Sequence, residues 1–83
     1  MKIQLRYFAS IREALGTAAE EVNTEACDAA GLLAELRARG GAYAHALADG
    51  RPVRVAINQV MARSDTLLSE GAEVGLFPPV TGG

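Results

Sequence analysis

The sequence predicts an α+β domain: a small mixed sheet with one principal helix packed on one face. Three observations carry this. Residues 2–8 alternate polar and apolar as a half-buried strand does, residues 29–36 carry an apolar stripe at helical spacing, and residues 53–77 hold further short strand-like runs around an Asn-Gln turn. At 83 residues the chain has the length of one small domain. Such a domain buries only about 60–65% of its unfolded surface, so each apolar side chain counts. Hydrophobic residues make up 49% of the chain, but 16 of them are alanines, leaving Val, Ile, Leu and Phe at 20 positions. That is still above the level of a disordered chain.

The first strand puts Ile3, Leu5 and Tyr7 on one face and Lys2, Gln4, Arg6 and Phe8 on the other. A turn or short helical piece follows at Ser10–Leu15 and stops at Gly16, and Glu20–Thr24 reads as a second strand hairpinned onto the first. Asp28 is a good N-cap, because its carboxylate accepts from free N–H groups of a first helical turn. Behind it Ala29, Leu32, Leu33 and Leu36 form one stripe, Arg37 and Arg39 suit the negative end of the helix dipole, and Gly40-Gly41 provides the stop. Gly31 costs this helix about 1 kcal/mol relative to Ala, and nothing in the sequence accounts for it. Ala42–Ala48 reads as one more helical turn before the Asp49-Gly50 break.

Val53–Ile57 is a third strand, Asn58-Gln59 a tight turn, Val60 and Met61 a short returning strand, and Glu73–Phe77 the last strand. In that strand Val74 and Leu76 face one way and Phe77 the other. The order is β-β-α-β-β-β. A sheet grasping a single helix is the ubiquitin-like β-grasp architecture.

Charge narrows the function classes. Eight bases against ten acids give a net charge of −2, without the basic stripe a nucleic-acid partner requires. No apolar run approaches the roughly 20 residues of a membrane span, and Met1-Lys2-Ile3-Gln4 opens no signal-peptide core. The chain therefore reads as soluble and cytoplasmic, with neither a nucleic-acid nor a membrane partner. A lone cysteine, Cys27, and a lone histidine, His45, exclude an internal disulfide and a multi-cysteine zinc site. Cys27 is expected as a small half-buried residue before the helix, and His45 as a surface or packing residue. No metal site and no active site of the chain's own is expected. The stretch from Glu13 to Glu35 holds six carboxylates and no base. It suits either steering of a basic partner or a solvated outer face.

The informative segment is Phe77-Pro78-Pro79-Val80-Thr81-Gly82-Gly83. Two prolines donate no backbone hydrogen bonds, so the ladder must end at Phe77, and each holds the residue before it extended. Residues 1–79 then read as one domain and residues 80–83 as an extended C-terminal tail. Gly82-Gly83 can thread a channel too narrow for any Cβ and leaves the terminal carbonyl uncrowded. An activated C-terminus has those needs: a partner with ATP forms an acyl adenylate at Gly83, and a nucleophile displaces AMP.

This ending resembles the C-terminal signature of the small subunit of molybdopterin synthase, a family of ubiquitin-like sulfur carriers. The opening Leu5-Arg6-Tyr7-Phe8-Ala9-Ser10-Ile11-Arg12-Glu13, Ala56-Ile57-Asn58-Gln59 and Gly71-Ala72-Glu73-Val74 are similar to three further stretches of that family. Ala72 departs from the family's usual Asp. The resemblance implies that an E1-like adenylating enzyme activates Gly83 with ATP and that a persulfide donor converts it to a thiocarboxylate. The tail then enters the large subunit of molybdopterin synthase, in a hetero-oligomer of heterotetramer type, and delivers sulfur to cyclic pyranopterin monophosphate for molybdenum cofactor biosynthesis. The chain itself binds no cofactor; ATP is used by the adenylating partner. The chain's own residues fit this division of labour. Alternation puts Phe8 and Phe77 on the outward face beside the tail, Met61 joins them and Arg12 borders them. These four, with Pro78, Pro79, Val80 and Thr81, are the expected partner-binding residues, and Gly82 and Gly83 the reacting end. Alternatives are a thiamine-pathway sulfur carrier, a ubiquitin-like protein modifier, and a binding module with an inert tail. With Lys2 as the only lysine, lysine-linked chains have almost no acceptor site on the protein itself.

Overall fold

The period-two pattern at the N-terminus becomes β1 (Lys2–Tyr7), in which Ile3, Leu5 and Tyr7 are buried and the intervening residues exposed. The computed structural model describes residues 1–48 and 52–78. The chain continues through α1 (Ala9–Leu15), β2 (Ala19–Asn23), α2 (Ala29–Ala38), α3 (Gly41–Ala46), β3 (Arg54–Ile57), β4 (Val60–Ala62) and β5 (Glu73–Phe77). The strands form one sheet in the order β2-β1-β5-β3-β4, antiparallel throughout except for the central β1–β5 pair. The α+β β-grasp expectation holds. Boundaries shift by a residue: β2 starts at Ala19, Val53 lies outside β3, and β4 reaches Ala62.

Asn58 and Gln59 both have positive φ, +50° and +69°, the combination a two-residue hairpin needs to match strand twist. The turn is tied to β5: the Asn58 N–H donates to the Glu73 carbonyl at 2.7 Å, and Asn58 Oδ1 accepts from the Glu73 N–H at 3.0 Å.

The start of α2 is fully satisfied. Asp28 Oδ1 accepts from the Gly31 N–H at 2.8 Å, while the N–H groups of Ala29 and Ala30 donate to the carbonyls of Thr66 and Ser64 at 3.1 and 2.9 Å. The same corner explains Gly31. A Cβ there would lie 3.1 Å from Ala26 Cβ and 3.2 Å from Asp28 Oδ1, so a side chain would push against the residue that caps the helix. At the other end Gly40, with φ +76° and ψ −170°, takes an extended positive-φ conformation open chiefly to glycine, and so separates α2 from α3.

Ala29, Leu32 and Leu36 of α2 join one core with the inward residues of the sheet (Ile3, Leu5, Tyr7, Val22, Val55, Ile57, Val74 and Leu76) and with Ile11, Ala46 and Leu47 from the shorter helices. Cys27 departs from expectation and is exposed. Thr24 and Ala26 face the core, so extended alternation turns Cys27 outward. Its carbonyl accepts from the Leu68 N–H at 2.7 Å. His45 is exposed on α3.

One polar cluster escaped the sequence reading. Glu20 on β2 receives the hydroxyl protons of Tyr7 and Tyr43 on Oε2, at 2.8 and 2.6 Å, and Arg39 Nη1 donates to its Oε1 at 2.9 Å. The Arg39 guanidinium also lies over the Tyr43 ring, 4.9 Å from its centre. The cluster ties β1, β2, the end of α2 and α3 together. Burial raises the Glu20 pKa, but the hydrogen bonds from Tyr43, Arg39 and Tyr7 outweigh it and hold the carboxyl below its usual range. Burial, reinforced by Glu20, raises the Tyr7 phenol.

A carboxyl depressed in the folded state adds stability above its unfolded pKa and loses it as pH falls through the folded value. The melting temperature should therefore drop on acidification more steeply in the wild type than in Glu20→Gln, which has no such proton to take up. Thermal melts from neutrality down to about pH 3 measure this; parallel acid limbs would contradict it.

Candidate functional site

The face of the sheet turned away from α2 follows from strand parity. Arg6 and Ala56 flank Gly75 on the neighbouring strands, Arg54 lies opposite Phe77, and Met61 lies opposite Ala56. All of them share the outer face. Phe8, the N-cap of α1, has an extended backbone, and its ring lies on Gly75: a Cβ there would come within 3.1 Å of Phe8 Cε2. Glycine inside a strand often marks such a close approach. Phe77 meets Phe8 edge to face, with ring centres 6.0 Å apart and an interplanar angle of 83°.

The expected residues are thus only partly brought together. Phe8 is 44% exposed. Phe77 is half-buried, more covered than a free docking ring, because the Phe8 ring abuts it. Met61 is 54% exposed on the same face but stands two strands from the aromatic pair, beyond Ala56 and Gly75. Arg12 is exposed on α1, where its N–H donates to the Phe8 carbonyl at 3.3 Å. Pro78 follows the end of β5 and is half-buried. Pro79, Val80, Thr81, Gly82 and Gly83 lie outside the described residues.

Two participants were missed by the sequence reading: Gly75, the floor under Phe8, and Arg54, the cation across from Phe77. Alternation within Val53-Arg54-Val55 carried the signal for Arg54. On this face Arg6 Nε pairs with Glu73 Oε2 at 3.1 Å. Ala72, where a carboxylate was expected, is 2% exposed. Its turn is closed by the Ala72 N–H donating to the Ser69 carbonyl at 3.0 Å and is tied to β1 by the Gly71 N–H to the Lys2 carbonyl at 2.8 Å and by the Lys2 N–H to Glu70 Oε2 at 2.9 Å. Among the described residues no group of three His, Cys, Asp or Glu side chains is placed to hold a metal ion, and no helix is long and apolar enough to cross a membrane. The geometry offers a surface and a launch point: apolar rings at the sheet centre, edged by charge, with the chain leaving beside them.

Comparison with known proteins places this arrangement. The model of the ThiS family matches residues 5–83. The chain belongs to the ThiS family. Over 98% of its length, and 99% of the relative's, this ThiS-family chain is 40% identical to the molybdopterin synthase sulfur carrier subunit of Escherichia coli. It superposes with a TM-score of 0.67 and 25% identity, over 100% of both chains, on a chain from the protein–protein complex of subunits 1 and 2 of the molybdopterin-converting factor of Helicobacter pylori. Small archaeal modifier protein 1 of Methanosarcina acetivorans matches with a TM-score of 0.74 and 25% identity, over 99% of this chain and 96% of that one.

The two apolar positions separate surface from core. Leu36→Ala, at 1% exposure, should cost about 2–5 kcal/mol of stability. Phe77→Ala, half-buried on the outer face, should lower the melting temperature distinctly less. Paired thermal melts decide, and a larger loss for Phe77→Ala would make that ring a core residue.

Proposed function

We propose that this chain is the sulfur carrier of a molybdopterin synthase and that the carboxylate of Gly83 is its working group. The supporting observation is the 40% identity, along nearly the whole chain, to the Escherichia coli sulfur carrier subunit. An E1-like adenylating enzyme joins the Gly83 carboxylate to AMP with loss of pyrophosphate from ATP. The terminal sulfur of a persulfide donor then attacks the acyl carbon and displaces AMP, giving an acyl disulfide. A thiol, acting as the two-electron reductant, attacks the donor's sulfur and breaks the S–S bond, so that the donor leaves as a mixed disulfide and a thiocarboxylate remains at Gly83. Gly82 and Gly83 carry no side chain, so the activated carbonyl meets its nucleophile without steric hindrance.

The loaded tail enters the large subunit, whose pocket holds cyclic pyranopterin monophosphate, and two such deliveries build the dithiolene of molybdopterin. Phe8 and Phe77, with Arg12 and Met61 at greater distance, form the surface the large subunit covers while Pro78, Pro79, Val80 and Thr81 lead the tail inward. Cys27 carries no sulfur in this reading, since it lies before α2, away from the end of β5. A second reading, conjugation to other proteins, draws on the likeness to small archaeal modifier protein 1.

Intact mass after incubation with the adenylating enzyme, ATP and a sulfur donor tests the proposal. The expected gain is about 16 Da, sulfur for oxygen at Gly83. Cys27→Ala should gain the same mass and a chain lacking Gly83 none, whereas conjugation gives far larger adducts. A shift that survives loss of Gly83 refutes the reading. In calorimetric titration with the large subunit, Phe77→Ala should weaken binding by about thirtyfold, the loss of one central interface aromatic. Loading with sulfur but no binding to the large subunit would instead favour the thiamine pathway.

A further inference from the structure

β4 is only three residues long, and its departure from the sheet leaves a gap. In β3 the backbone groups point alternately to its two neighbours. The Asn58 N–H reaches Glu73 on β5, so residues 58, 56 and 54 address β5, and 57, 55 and 53 address β4. The β3–β4 register pairs Val55 with Ala62 and, continued, would pair Val53 with Ser64. That pair does not form. The Ser64 carbonyl instead receives the Ala30 N–H at the start of α2, and Arg63 and Thr66 close a turn. Among the described residues nothing takes the N–H or carbonyl of Val53.

A cleft of about 270 Å³ opens there, lined by Ala29, Leu33, Val53, Met61 and Ala62, with Arg54 and Arg63 at its sides. This is below the ~300 Å³ at which small-molecule pockets begin, and suits one or two apolar side chains. Both arginines are exposed. Arg54 has no ion pair among the described residues, and Arg63 meets only Asp65, at 3.7 Å and almost fully solvated, a contact of little worth. Elsewhere Lys2 and Arg6 on β1 and Arg39 at the end of α2 each face a carboxylate. The available charge beside the cleft is therefore positive in a chain whose net charge is −2.

We propose that this cleft is a docking site for an extended acidic segment of a partner protein, which adds to the free edge at Val53. The added strand exchanges hydrogen bonds with the Val53 N–H and carbonyl, inserts an apolar side chain against Leu33 and Ala62, and sets its carboxylates against Arg54 and Arg63. Strand addition of this kind draws affinity from main-chain bonds and specificity from alternate side-chain pockets. The cleft shares Arg54 and Met61 with the outer face that carries the aromatic pair but makes no use of Gly83, so peptide docking here is tested without sulfur loading.

The test is titration of the isotopically labelled full chain with an acetylated hexapeptide carrying Ile-Val at its centre and Asp or Glu elsewhere, followed by amide chemical shifts. Shifts should concentrate at Val53, Arg54, Ala62 and Arg63. The double variant Arg54→Glu, Arg63→Glu should weaken binding about tenfold or more, and added salt should weaken it in the wild type. Because both side chains are exposed, an unchanged melting curve certifies the variant's fold. Absent shifts, shifts centred on β2 or on Phe8, or equal binding of the Lys-substituted hexapeptide would each overturn the proposal.

Discussion

The parallel pairing of β1 with β5 is the contact on which the molecule depends. It joins the two ends of the chain at the centre of the sheet, with Leu5 opposite Val74 and Tyr7 opposite Leu76, all four buried at 1% exposure or less. Every other strand is added outside this pair, and α2 lies over it. Closing a loop of this length costs entropy that local contacts do not repay, so the buried faces of the two strands must supply it. The same register brings Phe8, just after β1, beside Phe77, at the end of β5. A surface made of two residues 69 positions apart (77 − 8) is thus a by-product of the pairing that holds the core.

What was legible in the sequence was local. Alternation in residues 2–8, the Ala29-Leu32-Leu33-Leu36 stripe with its Asp28 cap, and the Asn-Gln turn each involve neighbours within a few positions. Parity then placed Phe8 and Phe77 on the outer face. What escaped was held by distant partners. Gly31 makes sense only against Ala26 and the capping carboxylate. Residues 63–72 carry no periodicity because their backbone bonds go to distant partners: Ser64 and Thr66 accept from the start of α2, Leu68 donates to Cys27, and Gly71 and Ala72 bond to β1. Glu20 looked like one more acid in a run, yet it binds Tyr43, 23 residues away. Parity fixes a face and not a distance, which is why Met61 shares the aromatic face without touching the rings.

The chain divides its polar chemistry by side. Toward β2, charges are matched: Glu20 with Arg39, Glu21 with Lys2, and Glu35 with the Thr24 hydroxyl and the Glu25 N–H. The acidic run between Glu13 and Glu35 is thus in part spent on internal bonds, which leaves less of it for steering a partner. Toward β3 and β4 the backbone itself is left partly unmatched, because β4 gives its continuation to the cap of α2. A helix start and a sheet edge compete for the same carbonyl at Ser64, and the helix takes it.

Lys2 carries the only side-chain amine, and β1 and β5 run the same way, so it stands at the end of the sheet opposite Phe77. Its ammonium is 54% exposed and meets Glu21 only at 3.9 Å, so acylating reagents can reach it. Five residues of extended strand, about 17 Å, separate it from Tyr7, next to the aromatic pair. A dye, biotin or surface linker attached at that amine would hold every molecule in one orientation, with the root of the tail pointing away from the point of attachment.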